Sequence, residues 1–428
     1  MIIKEPGARA LLRELFDAAI AAADPAICVP SRLPVPSDRG RVVIVGAGKA
    51  SAAMARAVED AARKEGWFER LEGVVVTRYA HGVPCERIGI VEAGHPVPDA
   101  AGAEAAQRIL ALVDELAEDD LLICLVSGGG SALLAAPAEG IGHKEKAEIN
   151  RALLRSGAPI DEMNCVRKHL SAIKGGRLAL RAFPARVVSL MISDVPGDDP
   201  SVIASGPTVP DPTTRHDALE ILVRYGIDVP ASVVSRLNNV SGETPKADDP
   251  VFRNVENVIV ARPDEMLVAA EGAARQAGLA VMSLGANLEG EARDLGAAHA
   301  ALARELQRSR ADEVPILILS GGETTVTVTG DGRGGRNAEY ALSLAAALAG
   351  ASGIYAIACD TDGIDGVEDN AGVIVTPDSL ERSAAAGFEA MDVLARNDAY
   401  SLFAAIGDLV VTGPTRTNVN DFRAILIT

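Results

Sequence analysis

Short, almost purely aliphatic runs that break off into glycine-rich or acidic turns constrain this chain more than any other feature. RVVIVGAGKAS, LLICLVSGGGSALL and PILILSGGETT carry the glycine form, and RVVSLMISDVPGDDP and IYAIACDTDGIDG the acidic form. A strand that is apolar on both faces must be covered on both. The helical segments between the runs, such as SAAMARAVEDAARKEG, are what can cover it. The pattern therefore predicts an α/β fold with a Rossmann-like, doubly wound, mostly parallel sheet. Strands are predicted at Gly73–Thr77, Ile88–Glu92, Leu121–Val126 and Arg186–Ile192, and a helix runs from Asp99 to about Leu116.

At 428 residues the chain exceeds what one hydrophobic core usually serves. The polar stretch NNVSGETPKADDPVFRN marks a boundary. The expectation is an N-terminal domain over 1–240, a linker over 241–256 and a smaller α/β domain over 257–428, with strands near Val255–Ala261 and Leu279–Leu284. The net charge of −18 and an aromatic content of 3% disfavour nucleic acid and anionic membrane surfaces as partners. The five cysteines form no C-x-x-C pair and suit a reducing compartment. No apolar run is long enough to span a membrane, and the opening MIIKEPGARALLRELF reads as an amphipathic helix rather than a leader. A cytoplasmic protein is expected.

In parallel α/β sheets ligands bind beyond the carboxyl ends of the strands, so the turns carry the chemistry. Gly46-Ala47-Gly48-Lys49 is a weak dinucleotide fingerprint and lacks the spacing of a Walker A loop. Ser127, Gly128, Gly129, Gly130 and Ser131 form a turn whose backbone N–H groups can meet a phosphate or carboxylate. The cations from Arg167 to Arg177, Lys174 among them, form either an anion site or a solvated helix face. Asp194, Asp198 and Asp199 could hold a divalent cation or simply cap a turn, and Gly206 lies just beyond them. In the C-terminal half, Glu323 follows one strand, Gly335, Arg336 and Asn337 open a helix, and Asp360 and Asp362 end another strand. That last turn is no EF-hand loop; it suits a Mg²⁺ that keeps most of its ligands as water and phosphate.

Taken in order, VGAGKAS, GHPVPDAAG, SGGGSALL, IKGGRLA, SDVPGDDPSVIASGPTVPDPTT, LSGGETTVTVTGDGRGGRNAE and DTDGIDG resemble the class II glycerate 2-kinases over nearly the whole chain. That family joins a large N-terminal domain to a smaller one bearing the MOFRL signature, here about 314–422. The resemblance implies transfer of the γ-phosphoryl group of ATP to the 2-hydroxyl of D-glycerate, with Mg²⁺. It implies Lys49 and Arg336 as catalytic cations, one from each half of the chain, and hence a cleft between domains. Asp194 and Asp360 are candidates for metal binding or for receiving the hydroxyl proton, two roles that sequence does not sort. Asp198 and Asp362 join them as metal candidates. The Ser127–Ser131 turn, Lys174, Arg177, Gly206, Glu323, Gly335 and Asn337 are the substrate- and phosphate-binding candidates. A homodimer is the candidate assembly.

Members of that family are also labelled hydroxypyruvate reductases, which makes an NAD(P)-dependent reductase the chief rival. A dinucleotide site wants a carboxylate for the ribose at the end of the second strand. Here that strand ends Val76-Thr77-Arg78, which weakens the rival, although Arg78 could face a 2′-phosphate. A sensor that merely closes on a hydroxy acid would need neither the two cations nor the two acidic turns.

Overall fold

The computed structural model describes residues 5–309 and 314–428. They divide into two compact units, Pro25–Val260 and a second that joins the chain up to Asp24 with Ala261–Thr428.

The larger unit is built on β1 (Val42–Ala47), β2 (Leu71–Arg78), β3 (Ile88–Ala93), β4 (Leu121–Val126), β5 (Arg186–Ile192) and β6 (Val255–Ala261), in the order β3-β2-β1-β4-β5-β6. The β1–β2, β2–β3, β1–β4 and β4–β5 pairs are parallel. Every residue of β1 and β4 is buried, as their unbroken aliphatic sequence requires. Val43, Val45, Leu122 and Cys124 share a core with Ile109 of the helix Ala100–Asp114. Asp99 caps that helix by accepting the Gly102 N–H at 3.0 Å. The strand order reverses between β1 and β4, the place where such sheets open a crevice.

The second unit carries β7 (Ala280–Ser283), a short pairing of β8 (Gly290–Glu291) with β10 (Thr324–Thr325), β9 (Ile316–Gly322), β11 (Ile354–Asp360), β12 (Gly372–Val375), β13 (Leu409–Val410) and β14 (Asp421–Ile427). Its main sheet has the order β13-β12-β11-β14-β9-β7. Only β7–β9 is parallel there; β14 runs antiparallel between β9 and β11. Asp421, the first residue of β14, thereby stands opposite both Asp360 and Gly322, where β11 and β9 end.

The division differs in two places from the 241–256 boundary expected from the sequence. The helix Glu5–Ala22 buries Leu12, Leu15 and Phe16 within the second unit, where Phe16 stacks on Phe422 at 5.7 Å and Arg9 reaches Asp408 at 2.6 Å. The strand Val255–Ala261 is the edge of the first sheet and does not open the second. Polar composition marks exposed chain, and chain that is exposed in part can still pair at an edge. Among the described residues no helix is long and apolar enough to cross a membrane.

Gly46 fixes how closely β1 and β4 approach: a Cβ there would lie 2.0 Å from the Leu125 carbonyl oxygen. Gly46→Ala is therefore expected to lower unfolding free energy by about 1–3 kcal/mol, as overpacked cores do, read from a urea titration at unchanged m-value.

Candidate functional site

The turn after β1 is bonded shut against the turn after β4. Gly48 N–H donates to Val76 O at 3.1 Å, Lys49 N–H to Gly128 O at 2.9 Å, and Ser51 N–H to Gly48 O at 3.2 Å. Ala50 N–H donates to Ser127 Oγ at 3.0 Å. Gly48 has φ +147°, and a Cβ there would meet Ser127 Oγ at 2.1 Å. The helix start Gly48–Ser51 thus presents its N–H groups to the protein itself rather than to a ligand. The N–H groups of Gly128 and Gly129, by contrast, find no protein acceptor among the described residues. The position a Gly129 Cβ would take lies 3.0 Å from the His95 ring and 3.5 Å from Lys49 Cγ, so both side chains border this glycine. Burial first, and then Lys49, Arg78 and His81, push the His95 pKa down to about 4, which leaves the imidazole neutral at pH 7.

The far end of the same turn meets the basic stretch. Lys174 Nζ donates to Ser131 O at 2.6 Å and to Ser131 Oγ at 3.0 Å. Ser131 Oγ and Ser205 Oγ are 2.8 Å apart, and Ser205 Oγ donates to Asn164 Oδ1 at 3.3 Å. Ala204, Ser205 and Gly206 all have positive φ, at 50°, 61° and 58°. The carbonyl of Gly206 accepts the Gly176 N–H at 2.8 Å and so seats the turn that follows Lys174. Arg177 and Lys168 face elsewhere. Arg177 donates to the carbonyls of Gly242 and Glu243 at 2.8 and 2.9 Å, and Lys168 pairs with Asp211 at 3.4 Å. Asp194 and Asp198 are half-buried in the turn after β5.

In the second unit, Arg336 begins the helix Arg336–Leu348, and carboxylates hold all three of its nitrogens. Nε meets Asp421 at 2.9 Å, Nη1 meets Glu323 at 2.6 Å and Nη2 meets Asp360 at 3.0 Å. Burial opposes its charge, but Asp421, Asp360 and Glu323 outweigh it and raise the pKa well above the ordinary guanidinium value. Asp421 is fully buried and also accepts from Asn337 Nδ2 at 2.8 Å and Arg423 Nη2 at 2.5 Å. Asp365 accepts the N–H groups of Asn337 at 3.0 Å and Ala338 at 2.8 Å, which caps the helix. Gly335 leaves room for that cap, since a Cβ there would lie 2.2 Å from Asp365 Oδ1. Asp360 and Asp362 are both buried at the end of β11, and Asp360 Oδ1 accepts the Asp362 N–H at 3.0 Å.

The candidates therefore collect at strand ends in two groups, one in each unit. Lys49, Ser127–Ser131 and Lys174 lie in the first; Glu323, Gly335, Arg336, Asn337, Asp360 and Asp362 lie in the second. Residues 11–238 match the family described as a domain of unknown function (DUF4147), and residues 316–421 match the MOFRL family. A D-glycerate 2-kinase from Thermotoga maritima is 42% identical over 389 residues, covering 90% of this chain and 91% of that protein. The chain belongs to the class II glycerate kinase family. Membership places it among the phosphotransferases. A crystal structure of glycerate kinase from Thermotoga maritima superposes with a TM-score of 0.88 at 40% identity, covering 99% of this chain and all of that one. An Agrobacterium vitis relative, 56% identical over 432 residues that cover 100% of this chain and 96% of that protein, bears the provisional name hydroxypyruvate reductase.

Two carboxylates of this glycerate kinase family member escaped the sequence reading. Asp365 lies within DTDGIDG and could have been found as a distant helix cap. Asp421 begins the last strand, and nothing local marks it. Arg423 is 1% exposed and has Asp421 as its carboxylate partner, so Asp421→Asn leaves a buried guanidinium without a counter-charge. The expected loss is about 3–5 kcal/mol of unfolding free energy, measured by chemical denaturation beside the wild type.

Proposed function

We propose that the protein transfers the γ-phosphoryl group of ATP to the 2-hydroxyl of D-glycerate, giving 2-phosphoglycerate, with Mg²⁺ and with one cation from each unit, Lys49 and Arg336. The observation that carries this reading is the Gly128–Gly129 turn, whose N–H groups lack acceptors among the described residues and whose backbone runs beside Lys49 and the neutral His95. Backbone donors next to a lysine suit phosphate oxygens, and phosphoryl transfer asks the protein for positioning and charge more than for covalent chemistry. Lys49 supplies a point charge there. Arg336 supplies a planar fork whose orientation Asp421 and Asp360 already fix. Of its three partners Glu323 is the exposed one, and therefore the one an incoming phosphate can displace at least cost.

Among the described residues no group of three or more His, Cys, Asp or Glu side chains is arranged to hold a metal ion. That does not suit a metal caged by protein, but it fits Mg²⁺, which takes one or two carboxylates and keeps the rest of its shell as water and phosphate. Asp360 with Asp362, or Asp194 with Asp198, would hold it. When bound, the ion neutralises the phosphate oxygens. A carboxylate of the same two turns receives the hydroxyl proton.

The reductase reading loses ground on the turn after β1. A dinucleotide pyrophosphate needs the N–H groups of that turn, and here they bond to Val76, Ser127 and Gly128.

Incubating the purified protein with D-glycerate, ATP and Mg²⁺ is expected to yield 2-phosphoglycerate, identified by phosphorus NMR. Oxidation of NADH or NADPH by hydroxypyruvate with no consumption of ATP would overturn the reading. Lys49→Ala and Arg336→Ala are each expected to lower kcat by roughly 100-fold or more, with KM for glycerate little changed. Near-full kcat in either variant would remove that residue from the mechanism.

A further inference from the structure

Three cations of the larger unit act on one another, and among the described residues no carboxylate balances them. Lys146, on the helix His143–Ser156, is 6% exposed, and its ammonium meets the Ala136 carbonyl at 3.1 Å. Lys174 is 3% exposed and is held by Ser131. Arg167, on the helix Ile160–His169, is half-buried, and its guanidinium contacts Met163 Sδ at 4.0 Å. The three sense one another. Burial lowers the pKa of Lys174 well below its ordinary value, and Lys146 and Arg167 lower it further. Burial and then Arg167 bring Lys146 down to about 7. Asp211 pairs with Lys168, and Glu243 with His169 and Lys246.

Removing several like charges from water without a counter-ion is costly, and the lowered lysine pKa values express that cost; an anion bound beside them would restore their charge. The polar groups linked to Lys174 are the Ser131 and Ser205 hydroxyls and the Asn164 amide, and Asn164 lies three residues before Arg167 on the helix Ile160–His169. Ser205 sits in the left-handed turn from Ala204 to Gly206, and backbone strain of this kind persists where a site requires it. The anion must be small, because Lys146 and Lys174 are almost completely enclosed. It must also lie one turn of chain from Gly129 and Lys49, since Ser131 belongs to the same loop.

We propose that Lys146, Lys174 and Arg167 form the subsite for the carboxylate of the acceptor, with Ser131, Ser205 and Asn164 beside it to meet the hydroxyl groups of a short 2-hydroxy acid. The inference rests on the glycerate reading above and adds what selects the acceptor. The Arg167 fork and the two ammonium groups reward a carboxylate and leave a neutral polyol such as glycerol without a counter-charge. Arg177, which lies on the same basic stretch, braces the Gly242–Glu243 segment instead.

Lys146→Met and Arg167→Met test this on the full chain. Each is expected to raise KM and the calorimetric Kd for D-glycerate at least 30-fold while KM for ATP stays within about threefold, and Lys146→Arg is expected to recover part of the loss. Lys146→Met should unfold at the same or a higher temperature, because it relieves a buried uncompensated charge. If both Met variants bind D-glycerate within twofold of wild type, the subsite is wrong and the kinase reading stands. A lower unfolding temperature for Lys146→Met would mark Lys146 as a structural brace and also count against the proposal. If the wild type binds D-glycerate through these cations but transfers no phosphoryl group, the subsite stands and the kinase reading falls.

Discussion

The seam between the turns after β1 and β4 is the constraint on which the larger unit depends. Gly46 and Gly48 have no Cβ, so the two chains come close enough for Ser127 Oγ to take the Ala50 N–H and for Gly128 O to take the Lys49 N–H. Those bonds satisfy the start of one helix with the loop of another. They leave the donors of Gly128 and Gly129 without an acceptor among the described residues. Rigidity and reactivity thus come from one arrangement: the first turn gives up its capacity to bind an anion, and the second gains a fixed orientation. Lys49 is carried along, because its backbone is bonded to the loop that its side chain borders.

The second unit reaches a similar end with side chains in place of backbone. Its sheet brings β14 between β9 and β11, so one buried carboxylate, Asp421, can bond to Arg336, Asn337 and Arg423 together. A guanidinium held on three sides has little orientational freedom left. Asp365 fixes the helix from which Arg336 projects.

The aliphatic runs made the first sheet legible, because a chain apolar on both faces has few alternatives to a covered parallel strand. The glycine turns marked the candidate site as a region, though not its wiring. Whether a turn shows its N–H groups to a ligand depends on what packs against it, and the Ala50–Ser127 bond joins residues 77 apart. Lys146 was invisible for a related reason. Its helix, HKEKAEINRALLRS, reads as polar and solvated, and only the segments packed over it place that lysine inside. The boundary between units was misplaced where composition stood in for pairing: Val255–Ala261 follows a polar stretch yet completes the first sheet.

The helix Glu5–Ala22 belongs to a unit whose remaining residues begin only at Ala261. In synthesis it precedes its main packing partner, the helix Pro263–Gln276, by a long stretch of chain, and β11 and β14 follow later still. At about 5–20 residues per second, it must wait tens of seconds for β11 and β14 to be made. For most of that interval the unit around Leu12, Leu15 and Phe16 is incomplete, while Pro25–Val260 is contiguous and free to fold on its own schedule. The larger unit is in this sense an insertion completed inside an unfinished one. The nascent chain therefore carries an amphipathic helix whose apolar face is not fully covered until β11 and β14 are synthesised.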